Sequence, residues 1–116
     1  MSASGEEVTC EDLKKMLTND KLTIIDVRNP EELEKGTFAG SINIPVNNVK
    51  DALSLDPKTF ETNYGHEKPP RDSLVVFHCQ LGRRGANATT IARELGYTRA
   101  VNLKGGYGEW EYQAAQ

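Results

Sequence analysis

The sequence predicts an α/β domain: an open, mostly parallel sheet of about five strands with helices on both faces. Three observations predict it. Short runs rich in β-branched and apolar residues, at 22–27, 42–45, 73–78 and 100–103, alternate with stretches of helical pattern, as crossover connections require. The run from Leu74 to Phe77 is apolar at four successive positions, as a central parallel strand covered on both faces should be. A chain of 116 residues is long enough for one compact domain, 1–116, and too short for two.

Taken in order, residues 1–7 are expected to be flexible, and Thr9 to cap a helix that carries Glu11 and Asp12 in its first turn and ends near Asn19. The run 22–27 is a buried strand. Asn29 and Pro30 then begin a brief acidic helix stopped by Gly36, and 42–45 is a strand closed by Pro45. Isolated apolar positions around Pro57 suggest two short helices, and Pro69-Pro70 forces an extended connection. After the strand 73–78, Ala88, Ile91, Ala92 and Leu95 form the stripe of an amphipathic helix that Gly96 stops. The strand 100–103 and Gly105-Gly106 lead into a last helix containing Trp110, a residue expected in the core or beside the site rim.

Composition narrows the function. Hydrophobic residues are 37% and charged residues 27%, a globular balance, and the longest apolar runs fall far short of the roughly 20 residues that cross a bilayer. With a net charge of -3 and scattered Lys and Arg, nothing supplies the basic field that nucleic acid requires. The acidic amino terminus lacks the pattern of a signal or transit peptide, so the expected location is cytoplasmic. Cys10 and Cys79 are read as free thiols, Cys10 as a surface residue starting a helix. Two histidines and two cysteines without ligand spacing argue against a metal site, and no cofactor is expected. His66 falls in a loop and is expected to be solvated.

The chemistry concentrates in "FHCQLGRRGAN", residues 77–87. Sites in open parallel sheets lie beyond the carboxyl ends of strands, and Cys79 sits at such an end, immediately before a helix. The first N–H groups of that helix have no internal partners and can hold an anion. Their dipoles and the cations of Arg83 and Arg84 favour thiolate over thiol, and Gly82 permits the loop to turn its amides inward. Set against this is a plainer reading, a small hydrophobic cysteine ending a core strand; the strand end, glycine, two arginines and helix together outweigh it. His78, adjacent on the strand, points to the opposite face and is a poor general base for Cys79.

His78-Cys79 invites comparison with cysteine-dependent phosphatases, in which five residues separate cysteine from arginine. Here that arginine position is Gly85, and Arg84 comes one residue early. The loop is one residue short for a phosphoryl group, which leaves a phosphatase or arsenate reductase as the least favoured reading.

"IIDVRNPEELEKGTFAGSINIP", "VVFHCQLGRRGANATTIARELGY" and "VNLKGGYGEW" stand in order across residues 8 to 112. They resemble the three signatures of the rhodanese-like sulfurtransferases, and within them the small single-domain thiosulfate:glutathione sulfurtransferases. The resemblance implies that Cys79 takes sulfur from thiosulfate or another sulfane-sulfur donor and passes it to a thiol. It also implies a substrate-binding loop of Gln80, Leu81, Gly82, Arg83, Arg84 and Gly85, with Arg84 ranked above Arg83 because the family often has arginine or a hydroxyl there. Asp26 and Arg28 are implied to brace the loop, with Arg28 expected to pair with Glu31 or Glu32. Thr37 departs from the histidine that many members carry. The acceptor is expected to be glutathione, or a protein such as thioredoxin, and the protein a monomer. An apolar collar from Leu81 and Tyr107 would favour a protein acceptor; a basic pocket from Arg83 and Arg84 would favour anions and glutathione. Cys10 is a weaker candidate for a resolving thiol.

Overall fold

A computed structural model describes residues 6–18 and 22–116. Five strands, β1 (Glu7–Val8), β2 (Thr23–Asp26), β3 (Ile42–Asn43), β4 (Val75–His78) and β5 (Ala100–Leu103), form one sheet in the order β1-β5-β4-β2-β3. All four pairings are parallel. The expected class holds, and β4 and β5 are buried at every position, as the four successive apolar residues from Leu74 to Phe77 predict for β4.

The helices are α1 (Cys10–Met16), α2 (Val49–Leu53), α3 (Pro57–Tyr64), α4 (Arg83–Glu94) and α5 (Gly106–Ala114), with short 3-10 helices at Pro30–Lys35 and Val46–Asn48. Thr9 caps α1: its hydroxyl accepts from the Asp12 N–H at 3.0 Å, and the Asp12 carboxylate accepts from the Thr9 N–H at 3.1 Å. Pro57 starts α3 behind an Asp56 cap, which is why two helices flank it. The helix end expected near Asn19 lies outside the described residues; α1 ends at Met16.

Strand alternation divides the core. Ile25, Val75 and Phe77 point to one face with Val49, Leu53, Phe60, Ala88 and Ala92, beneath α2, α3 and α4. Ile24, Val76, Val101 and Leu103 point to the other with Leu13, Phe38 and Trp110, beneath α1 and α5.

Two expectations are corrected. Glu7, counted in the flexible stretch, pairs with Asn102 as part of edge strand β1; residues 1–5 lie outside the described residues. Cys10, expected on the surface, is 3% exposed, because the first turn of α1 faces the sheet and turns Cys10 and Leu13 inward together. Burial, reinforced by Glu109, pushes the Cys10 thiol pKa up. It belongs to the opposite core face from Cys79, and both cysteines are free.

Candidate active site

From β2 the chain moves outward to β3, and from β4 it moves the other way to β5, so the crevice between β2 and β4 is where the strand order reverses. Cys79 is the first residue beyond β4. Its sulfur accepts from the Gly82 N–H at 3.0 Å and the Gly85 N–H at 3.3 Å. The loop thus curls around the sulfur with amides inward, and the N–H groups of Arg83 and Arg84, in the first turn of α4, have no partner within that helix.

This curl rests on two glycines. Gly82 has φ 110°, a conformation that side chains disfavour. A Cβ on Gly85 would collide with the Asn102 side-chain oxygen and come within 3.3 Å of the His78 Cα. Asn102, from β5, donates its Nδ2 to the Gly82 carbonyl at 3.0 Å. From the other side, the free N–H groups opening α5 hold the loop carbonyls outward: Tyr107 donates to Cys79 O at 2.7 Å and Gly108 to Gln80 O at 2.9 Å.

Register explains the next layer. Asp26 pairs with His78, so two residues further on Arg28 comes beside Gln80 and donates to its Oε1 at 3.1 Å. Arg28 is 2% exposed. It engages Asp26 through Nε and through Nη2 at 2.7 Å, reaches the Gly36 carbonyl at 2.9 Å, and lies 4.7 Å from the Tyr107 ring centroid. Arg28 was expected to pair with Glu31 or Glu32; its carboxylate partner is Asp26. Burial alone would raise the Asp26 pKa, but hydrogen bonds from Arg28, the neighbouring His78 and the Thr37 hydroxyl at 2.7 Å together hold it below its ordinary value. Thr37, the departure from the usual histidine, is therefore part of this network.

Glu32 turns the other way. Its carboxylate takes both arms of Arg84, at 2.7 and 2.9 Å, and accepts the Asn29 N–H at 2.9 Å. Arg84's hydrogen bonds, opposed by partial burial and aided by Asn29, hold the Glu32 pKa at about 2. The same pairing raises that of Arg84 against its own desolvation. Arg83 is exposed, with no ion pair or hydrogen bond among the described residues.

Cys79 is 1% exposed and forms the floor of an open cleft of about 620 Å³ lined by Glu32, Gln80, Leu81, Arg83 and Arg84. Leu81 stands at its rim, 80% exposed. Tyr107 does not line it; its ring packs against Phe38 on the opposite face of the sheet. Trp110 packs there as well, 4.7 Å from Phe38. His78 is fully buried on that face, 4.8 Å from the Phe38 ring, while Cys79 belongs to the other core face. His66 is exposed, as expected.

Sequence reasoning missed Asn102 and the Glu32–Arg84 pair. A polar residue in a strand otherwise uniformly apolar was the available signal for Asn102, since a buried amide needs a partner. The facing of Glu32 follows from the 3-10 helix turning it toward α4, which spacing does not reveal.

A cysteine on the floor of an inward-turned amide loop, beyond the central strand of a small parallel sheet, defines the class: a cysteine-loop α/β domain. The rhodanese-like domain model matches residues 9–113, and the chain belongs to that family. It is 42% identical to the human thiosulfate:glutathione sulfurtransferase over 93% of this chain and 95% of that protein. It is 32% identical to the thiosulfate:glutathione sulfurtransferase of Saccharomyces cerevisiae, over 86% of this chain and 73% of the relative. Among solved structures, a human single-domain sulfurtransferase superposes with a TM-score of 0.88 at 41% identity, covering 92% of this chain and 96% of that one.

Proposed function

We propose that the protein is a thiosulfate sulfurtransferase with a thiol acceptor, and that Cys79 carries the sulfur. The observation that supports this most directly is the pair of loop N–H groups on the Cys79 sulfur at the floor of a cleft edged by Arg83 and Arg84. Names of relatives similar along most of their length specify the donor and acceptor classes, thiosulfate and glutathione.

The Cys79 thiolate attacks the outer sulfur of thiosulfate, and the bond between the two thiosulfate sulfurs breaks. Its electron pair departs with sulfite, leaving a Cys79 persulfide anion. Charge balances, since a thiolate and a dianion become a persulfide anion and a dianion. The acceptor thiol gives its proton to the Cys79 persulfide, and the resulting thiolate attacks the terminal sulfur, taking it as a new persulfide and returning Cys79 to thiolate. Splitting the transfer lets sulfite leave before the acceptor enters, so donor and acceptor need not occupy the cleft together. The inward amides hold charge on sulfur throughout, without reorganising at the moment of reaction.

The exposure of Leu81 at the rim supports a second acceptor class, a protein thiol such as that of thioredoxin docking over the loop. Both readings suit a single chain acting as a monomer in a reducing compartment such as the cytosol, where Cys10 and Cys79 stay free. The test is intact mass after brief thiosulfate exposure, then glutathione, with Cys79→Ser alongside. Wild type should gain one sulfur atom that glutathione removes, and Cys79→Ser none while melting as wild type does. A gain on the variant would overturn the assignment of the nucleophile; a gain that only a protein thiol removes would favour the second acceptor.

A further inference from the structure

Two arginines edge the Cys79 cleft, and they stand in different electrostatic states. Arg84 gives both arms of its guanidinium to Glu32 in a bidentate pair and also lies close enough to interact with the Cys79 sulfur, so its charge is offset by a carboxylate where it stands. Glu32 is fixed in turn by the Asn29 N–H, within the cap of the 3-10 helix, so the pair is built into the fold. The other nearby guanidinium, Arg28, is buried and taken by Asp26. Of the cations lining the Cys79 cleft, Arg83 is the one with no carboxylate upon it among the described residues.

Resting on the sulfurtransferase reading, we infer that Arg83 is the cation that recognises the dianionic donor, and that Glu32 neutralises the charge that Arg84 would otherwise present to it beside the Cys79 sulfur. The charges facing the cleft are then one free cation and one neutralised pair. The site must draw in a dianion, release a second dianion as sulfite, and afterwards admit an acceptor of different charge. Two unopposed guanidinium groups above the sulfur would strengthen the first step and slow the second, because sulfite carries the same charge as thiosulfate. Glu32 sets this balance by occupying Arg84, and the order of the two arginines expected from the family pattern is reversed.

Equilibrium binding of thiosulfate to the full-length Cys79→Ser protein tests this, since that protein keeps Glu32, Arg83 and Arg84, loses only the thiolate charge common to all the variants compared, and cannot form the persulfide. Glu32→Gln in that background keeps an oxygen for the Asn29 N–H and frees Arg84; thiosulfate and sulfite should both bind about two- to fivefold more tightly, the range of a partly exposed ion pair. Arg83→Gln should weaken both by a similar factor. The double variant Glu32→Gln/Arg84→Gln, in which the cleft has the same net charge as the parent, should bind as the parent does. All differences should shrink in about 1 M salt, where the screening length falls to roughly 3 Å.

The inference is overturned if the double variant binds as weakly as Arg83→Gln, which would make Arg84 the donor ligand. It is equally overturned if Glu32→Gln leaves thiosulfate binding unchanged or weaker with an unaltered melting temperature, which would make Glu32 a brace for Arg84 alone. Absence of thiosulfate binding to all of these proteins also overturns it. Failure of wild type to gain sulfur in the mass experiment instead counts against the sulfurtransferase reading and leaves the binding order to decide this one.

Discussion

Gly85 illustrates how little room the loop leaves at a single residue. Its N–H reaches the Cys79 sulfur while the space beside its Cα is filled by Asn102 and the His78 backbone. A methyl group there must push either β5 or the loop. Gly85→Ala is expected to destabilise the protein by about 1 to 3 kcal/mol, the usual range for overpacking, and to slow sulfur transfer beyond what lost stability explains. A displacement of order 1 Å at a reacting centre costs on the order of a hundredfold in rate. Thermal melting beside single-turnover sulfite release measures both; a rate within twofold of wild type would show that the loop tolerates the shift. At this scale the sequence was most legible where chemistry and position coincide. Cys79, the inward loop and Gly82 could be read from the strand end and the glycine. Gly85 was placed in the loop, but its steric necessity was hidden because Asn102 comes from a strand that pairs with β4 only through the tertiary fold.

Among elements, the decisive contact is between β2 and β4. Their register sets Arg28 beside Gln80, so one buried guanidinium ties Asp26, the Gln80 side chain and the Gly36 carbonyl together. A lysine ammonium lacks the planar fork and cannot serve these groups in the same directions. Arg28→Lys should therefore leave Asp26 poorly paired and lower unfolding free energy by about 3 kcal/mol, toward the cost of breaking a buried ion pair. Denaturant titration with an unchanged slope checks this; a midpoint equal to wild type would mean that the network does not carry the loop. The four longer or more apolar strands and the helices flanking Pro57 were legible because periodicity and proline act locally. Edge strand β1 was not, since two residues carry no period and Glu7 is ordered by pairing with β5. The partner of Arg28 was misassigned for a related reason: proximity in sequence suggested Glu31 or Glu32, whereas the strand end turns the guanidinium back upon Asp26.

Over the whole molecule, the sheet separates two apolar cores and buries a titratable pair within one of them. His78 is fully buried, neither ring nitrogen has a hydrogen-bond partner of good geometry, and its Nε2 lies 3.7 Å from the Asp26 carboxylate. Burial pushes its pKa from 6.5 down to about 4, against the opposing pull of Asp26. At neutral pH the imidazole is uncharged in both folded and unfolded chains and contributes no pH dependence. As pH falls below about 6.5 the unfolded chain takes up a proton that the folded chain refuses, so stability declines until His78 charges in the fold near pH 4. The depression corresponds to a loss of roughly 3 kcal/mol across that window. Asp26, held below its ordinary value by Arg28 despite burial, adds a further loss at lower pH, as its protonation removes the carboxylate that Arg28 requires. Unfolding free energy measured from pH 8 to 3 should be level above pH 7, begin to fall through 6.5 as the unfolded chain protonates His78, and fall further below about 4.5 as the depressed carboxylates of Glu32 and Asp26 add their own loss. His78→Gln should lower the plateau, because the ring packs edge-on against Phe38 at 4.8 Å, yet flatten the slope between 6.5 and 4 while keeping the loss below it. An unchanged slope in that variant would assign the acid sensitivity to the carboxylates, and the buried histidine would then have no part in the pH response of the fold.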